Sequence, residues 1–307
     1  MLERYSMAVI MLLILALGFI LREIGVFKRD DAKTISKIMM NLTLPAMIIT
    51  NLNGARLTKD TLGAVLLGFA VNGFFFLFYV LFADKNNEED RFVKLFCMTS
   101  FNIGGLTYPL MTNFASPLAQ SAVLTFNYPG TAVFTYGVPN VLGERIGNGR
   151  SGSGLKQTLK IMSRSVTTIA CFGTLLLCLF EVSLPSFVTD FTGTVARANV
   201  TLAMLCTGIM LNLRISRKEL SENIRIVLMR LCAAAVSALI IYFLLPFSRE
   251  VRCALTVTVF SPAAHVQVYL PSLPALSTLS PRLTSTSAFS SAGVTVSLLV
   301  ALVVLAA

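Results

Sequence analysis

The sequence predicts an all-α integral membrane protein of ten transmembrane helices, arranged as two five-helix repeats of opposite orientation. Three observations predict it. The composition is too apolar and too poor in charge for a water-facing surface, apolar runs of spanning length recur along the whole chain, and basic residues alternate between successive loops.

Of the 307 residues, 55% are hydrophobic and 13% charged, and the mean hydropathy is +0.76. A soluble domain carries about 45–50% apolar and about 25% charged residues. Lipid tolerates the surface that such a shortage of charge leaves exposed. The net charge of +10 raises the question of nucleic acid. The Lys and Arg residues stand in the gaps between apolar runs, which marks them as loop charges facing headgroups and excludes a nucleic-acid partner. Cys97, Cys171, Cys178, Cys206, Cys232 and Cys253 form no CxxC pair and read as small buried hydrophobes. The apolar run from Met7 to Leu21 has no A-x-A site and is followed by many similar runs, so it reads as the first span and not as a signal peptide.

A span needs about 20 apolar residues. Spans are expected near 5–21, 35–53, 61–83, 92–113, 118–142, 165–185, 196–213, 225–246, 252–270 and 284–306. The longest hydrophilic stretch includes the Gly/Ser-rich linker at 144–164, which separates a first repeat, 1–143, from a second, 165–307. An odd number of spans per half forces the halves into opposite orientations, a plan that many secondary transporters share. The loops after odd-numbered spans, with their flanks, hold 18 Lys and Arg residues, against 5 for the even-numbered loops. The odd loops are therefore expected in the cytoplasm and both termini outside it, in the cell membrane. Arg230, near the start of span eight, is expected to snorkel to the interface.

Spans four and nine are interrupted. Span four reads SFNIGGLTYPLM, with Asn102, Gly104, Gly105 and Pro109; span nine reads VFSPAAHVQVYLP, with Pro262, His265 and Gln267. Gly weakens a helix and Pro cannot donate to it. Unwound backbone at membrane depth is tolerated where it is buried in protein or lines a cavity. A pair of breaks in matching places of two halves points to a binding site. The half-helices after the breaks favour a carboxylate or similar anion. These seven residues are the candidate substrate-binding set.

All fifteen carboxylates fall in loops or at span ends, Glu181 being the nearest to a span interior. No ion site built on a buried Asp or Glu is visible, no metal site or cofactor is expected, and the coupling of transport to protons, sodium or membrane potential stays open. His265, the sole histidine, reads equally as a proton-coupling or substrate-binding group and as a neutral imidazole bonded to a neighbouring helix. Asn41, Thr43, Asn127 and Tyr128 are mid-span polar groups suited to interhelical hydrogen bonds, at about 0.6 kcal/mol each. The G-x-S-x-G, H-E-x-x-H and phosphate-loop motifs are absent, so no enzyme is expected.

Several of these runs resemble one family. ISKIMMNLTLPAMIITNL (Ile35 to Leu52), FNIGGLTYPLM, ANVTLAMLCTGIMLNL and SPAAHVQVY resemble, in order, motifs of spans two, four, seven and nine of the auxin efflux carrier family. The resemblance implies a fold similar to bile acid/sodium symporters. Spans 1, 2, 6 and 7 would form a scaffold, spans 3–5 and 8–10 a transport unit, and spans 4 and 9 would cross at their breaks. Asn102, Pro109 and Pro262 carry over as crossover residues. The chain departs from the family pattern in lacking a Pro early in span seven, where Asn199 and Val200 stand, and a Pro near Arg164 at the start of span six. It also lacks the large cytoplasmic loop of plant members. His265 matches no family role. The function expected is alternating-access transport of a small organic anion, the alternative being a membrane receptor or regulatory subunit that binds without transport. The expected partners are that anion and the lipid bilayer, with homodimerisation left open.

Overall fold

The computed structural model describes residues 2–54, 58–82, 95–103, 107–111, 115–131, 133–134, 163, 165–211, 217–261 and 263. Among the described residues the regular structure is helical, without strands. In chain order the helices are α1 (Leu2–Glu23), α2 (Asp31–Ile38), a π-helical turn (Met39–Thr43), α3 (Leu44–Leu52), α4 (Lys59–Phe82), α5 (95–99) and α6 (Tyr108–Met111). They continue as α7 (Pro117–Thr131), α8 (Val166–Leu179), α9 (Ser186–Met210), α10 (Arg217–Leu244) and α11 (Arg249–Val259). Asp31–Leu52, Lys59–Phe82 and Ile224–Leu244 are each long and apolar enough to cross a membrane. The linker, apart from residue 163, and the tenth expected span lie outside the described residues.

The side-chain distribution follows from a lipid solvent. Along α4, Thr61, Ala64, Gly68, Val71, Asn72, Phe75 and Tyr79 are buried on one face, while Leu62, Leu66, Leu77 and Leu81 are exposed. Small and polar residues point inward and leucines outward, because hydrocarbon outside removes any gain from hiding leucine. Backbones approach closely at two crossings. A Cβ on Gly208 would overlap the Leu15 carbonyl where α9 meets α1, and one on Gly68 would overlap the Phe126 carbonyl where α4 meets α7.

The helices form two groups. α1, α2, α3, α8 and α9 pack on one another, and α4, α7, α10 and α11 pack on one another, with α6 against α7. The same partition is implied for the corresponding spans by the family resemblance. Polar bonds stitch each group internally. In the first, Thr43 Oγ1 donates to Asn199 Oδ1 at 2.8 Å, Thr50 Oγ1 to Thr192 Oγ1 at 2.8 Å, Thr167 Oγ1 to the Met40 carbonyl at 2.6 Å and Cys178 Sγ to the Leu52 carbonyl at 3.0 Å. Arg22 donates to the Ile209 and Leu211 carbonyls, where α9 ends. In the second, Thr125 Oγ1 donates to the Thr61 carbonyl at 3.2 Å and Thr99 Oγ1 to the Phe134 carbonyl at 3.4 Å. Where the groups meet, Met47, Ile48, Leu52, Cys171 and Cys178 share one apolar cluster with residues of α4, α7, α10 and α11.

Two sequence expectations need correction. Asn41 is exposed, its amide returning to the Lys37 carbonyl at 2.9 Å, and so makes no interhelical bond of its own. Cys232 and Cys253 are exposed, unlike the other four cysteines, because they occupy outward faces of α10 and α11.

Candidate functional site

The helix of span four is left, and that of span nine ends, each before its glycine or proline; the continuation of span nine lies outside the described residues. α5 ends at Thr99, and residues 100–102 are not helical. α11 ends at Val259, and Phe260 and Ser261 leave the helix in a turn. A helix end leaves carbonyls without their i+4 donors. At membrane depth no water is at hand to replace those donors, so the protein must supply them.

Arg230 supplies them at the end of α5 and also donates to a carbonyl just beyond α11. Its Nη1 donates to the Cys97 carbonyl at 2.6 Å and to the Met98 carbonyl at 2.7 Å. Its Nε and Nη2 donate to the Ser261 carbonyl at 3.2 and 2.8 Å. The guanidinium also lies 4.6 Å from the centroid of the Phe101 ring and 5.6 Å from that of Phe75, within cation–π range. One planar fork thus ties the end of α5 to the backbone just beyond α11. A lysine could not, because its ammonium offers three donors around a point and no rigid fork.

The expectation that Arg230 snorkels is overturned. The residue is 1% exposed. The helix that carries it begins at Arg217, eight residues before the expected span start, and even the apolar stretch begins six residues before Arg230, at Ile224. At 1.5 Å per residue, the head group would have to climb about 9 Å to leave that stretch. It turns instead onto carbonyls that the interruptions expose.

The other candidates are placed as follows. Asn102 is half-buried in the non-helical stretch after α5. Pro109 is the second residue of α6, in the first turn, where the missing N–H deprives no helical bond. Gly104, Gly105, Pro262, His265 and Gln267 lie outside the described residues. Sequence reasoning missed two buried hydroxyls beside the interruptions. Thr107 Oγ1, just before α6, and Ser261 Oγ have no hydrogen-bond partner among the described groups, and both residues are fully buried. A buried polar group left in this way costs free energy, so the pair marks a place where the fold has kept polarity it does not use. No residue type signals such an orphan in advance. Arg230 did carry a signal, an arginine flanked on both sides by apolar turns with no acidic residue within a helical turn.

Comparison with known proteins gives two matches. Residues 5–138 match the family described as "Membrane transport protein". An uncharacterized transporter of Methanothermobacter thermautotrophicus is 24% identical over 250 residues, spanning 77% of this chain and 79% of that protein. The family match covers α1 to α7 and so includes the first interruption, and the archaeal relative extends the likeness beyond it. Over residues 5–138 the chain is similar to the membrane transport protein family, the auxin efflux carrier-like family that its sequence resembles, and the archaeal relative supports the reading of a membrane transporter.

Proposed function

We propose that this transporter carries a small organic anion, in the first instance a monocarboxylate, by alternating access. The observation that carries the reading is Arg230, a buried cation where α5 and α11 end, hydrogen-bonded to carbonyls and to no carboxylate among the described residues. A buried charge is costly unless it is paired, and an anionic substrate is a pairing that comes and goes. The unpartnered hydroxyls of Thr107 and Ser261 are donors of the kind that a carboxylate accepts.

The two helix groups support the motion. The inter-helix hydrogen bonds described above all stay inside one group or the other, and the groups meet through apolar side chains. Movement of α4–α7, α10 and α11 against α1–α3, α8 and α9 breaks none of those bonds. With no buried carboxylate among the described residues to hold a coupling ion, the membrane potential drives export of the anion in this scheme. One charge crossing 100 mV gains about 2.3 kcal/mol.

The test is flux in proteoliposomes with radiolabelled lactate, pyruvate and benzoate. Saturable uptake that excess unlabelled carboxylate abolishes is the expected result. Saturable binding in detergent without flux in vesicles would instead identify a receptor.

A further inference from the structure

Each hydrogen-bond or ring partner of the Arg230 head among the described residues lies on or beside α4, α11 or α5, and α5 is tied to the Arg230 group by these same bonds. The Cys97 and Met98 carbonyls lie on α5, Phe75 on α4, Phe101 just beyond α5 and Ser261 just beyond α11. Nothing from α1, α2, α3, α8 or α9 is among its hydrogen-bond or ring partners. Whatever path this group takes, the guanidinium goes with it. An arginine keeps its charge at physiological pH, and carbonyl oxygens solvate that charge without cancelling it. Among the described residues the ion pairs are Arg22–Glu23 and Lys33–Asp30, both away from the site.

We propose that Arg230 is a travelling countercharge. It crosses the membrane field together with the bound anion, so the loaded step moves no net charge and the return of the empty carrier moves one positive charge. The inference rests on the alternating-access reading above and adds to it which half of the cycle feels the voltage. The sign follows directly. With the inside negative, the empty carrier is drawn from its outward-facing to its inward-facing state, which speeds net export of a monoanion and slows net import. Exchange of internal for external anion uses loaded carriers alone and is indifferent to voltage.

The experiment uses the full chain in proteoliposomes with lactate, pyruvate and benzoate, the potential being clamped by a potassium gradient and valinomycin. For the unaltered protein, self-exchange is expected at the same rate at 0 and −100 mV, while net efflux rises. The rise has a ceiling of about fortyfold, reached if the charge crosses the whole field. Arg230→Lys keeps this pattern. Arg230→Gln reverses it, because the loaded carrier now bears the negative charge: exchange becomes voltage-dependent and the empty return silent. Self-exchange by the unaltered protein that follows voltage as steeply as net efflux overturns the countercharge and leaves transport standing, with no variant required. Absence of exchange for all three anions removes the monoanion reading and the countercharge together.

Discussion

Replacing Arg230 with leucine tests the site as a piece of architecture, independently of transport. The substitution withdraws four donated bonds from three buried carbonyls, those of Cys97, Met98 and Ser261. A buried acceptor left unsatisfied costs about 1–3 kcal/mol. Water entering the vacated space holds the cost to the lower part of that range, so three carbonyls lose about 4 kcal/mol together. At about 2 °C per kcal/mol, the scale for a chain larger than 150–250 residues, Tm falls by about 8 °C. The chain has no tryptophan, but Cys97, Cys171, Cys178 and Cys206 are buried, so a thiol-reactive fluorophore reports unfolding of the detergent-solubilised protein as those groups become accessible. Arg230→Lys keeps the charge and part of the bonding, and melts between the two. A leucine variant that melts within about 2 °C of the parent would show that the guanidinium does not hold the interruptions together, and the account of the crossing would fall.

Two further substitutions separate packing from binding. Gly208→Ala puts a methyl group onto the Leu15 carbonyl across the α1–α9 crossing, whereas a methyl at Gly173 meets nothing within 4 Å. The first is expected to cost about 1–3 kcal/mol through overpacking and the second to cost nothing or to stabilise, its helix gaining propensity; equal melting temperatures for the two would contradict the close approach. Ser261→Ala removes a hydroxyl that the fold does not use, so Tm should stay within about 2 °C of the parent. The half-saturating concentration of the carried carboxylate should nevertheless rise about tenfold, the equivalent of one hydrogen bond to a charged group at about 1.5 kcal/mol. An unchanged transport affinity would exclude that hydroxyl from the site.

The elements readable from the sequence were those whose physics is local. The runs at 5–21, 35–53 and 61–83 match α1, α2–α3 and α4 closely, because apolar length alone sets them. The interruption near residue 100 was legible from its Gly and Pro, although the helix is left earlier than those residues suggest, at Ser100. α9 begins at Ser186, ten residues before the expected span, because its first turns, which include Asp190 and Thr194, are polar enough to look like loop. Arg230 was misread for a related reason. Its partners are backbone carbonyls, which every residue has, so no side chain in the sequence advertises them. Its depth depended on a helix start that charged residues at 217–225 disguised. The partition into two helix groups was implied by the family resemblance and by no pattern of residues.

The π-helical turn at Met39–Thr43 sets which face the second half of its span presents. The turn accommodates one more residue than an α-helix would, just ahead of Pro45, whose ring and missing N–H disturb a regular ladder. One residue corresponds to about 100° of rotation. Deleting any one of the five would wind the segment back into plain α geometry and swing everything beyond it by that angle. Met47 and Ile48 would turn from the interior towards lipid, and Thr50 would lose sight of Thr192. The segment therefore behaves like a key cut for one rotation, and its length is fixed more tightly than its composition.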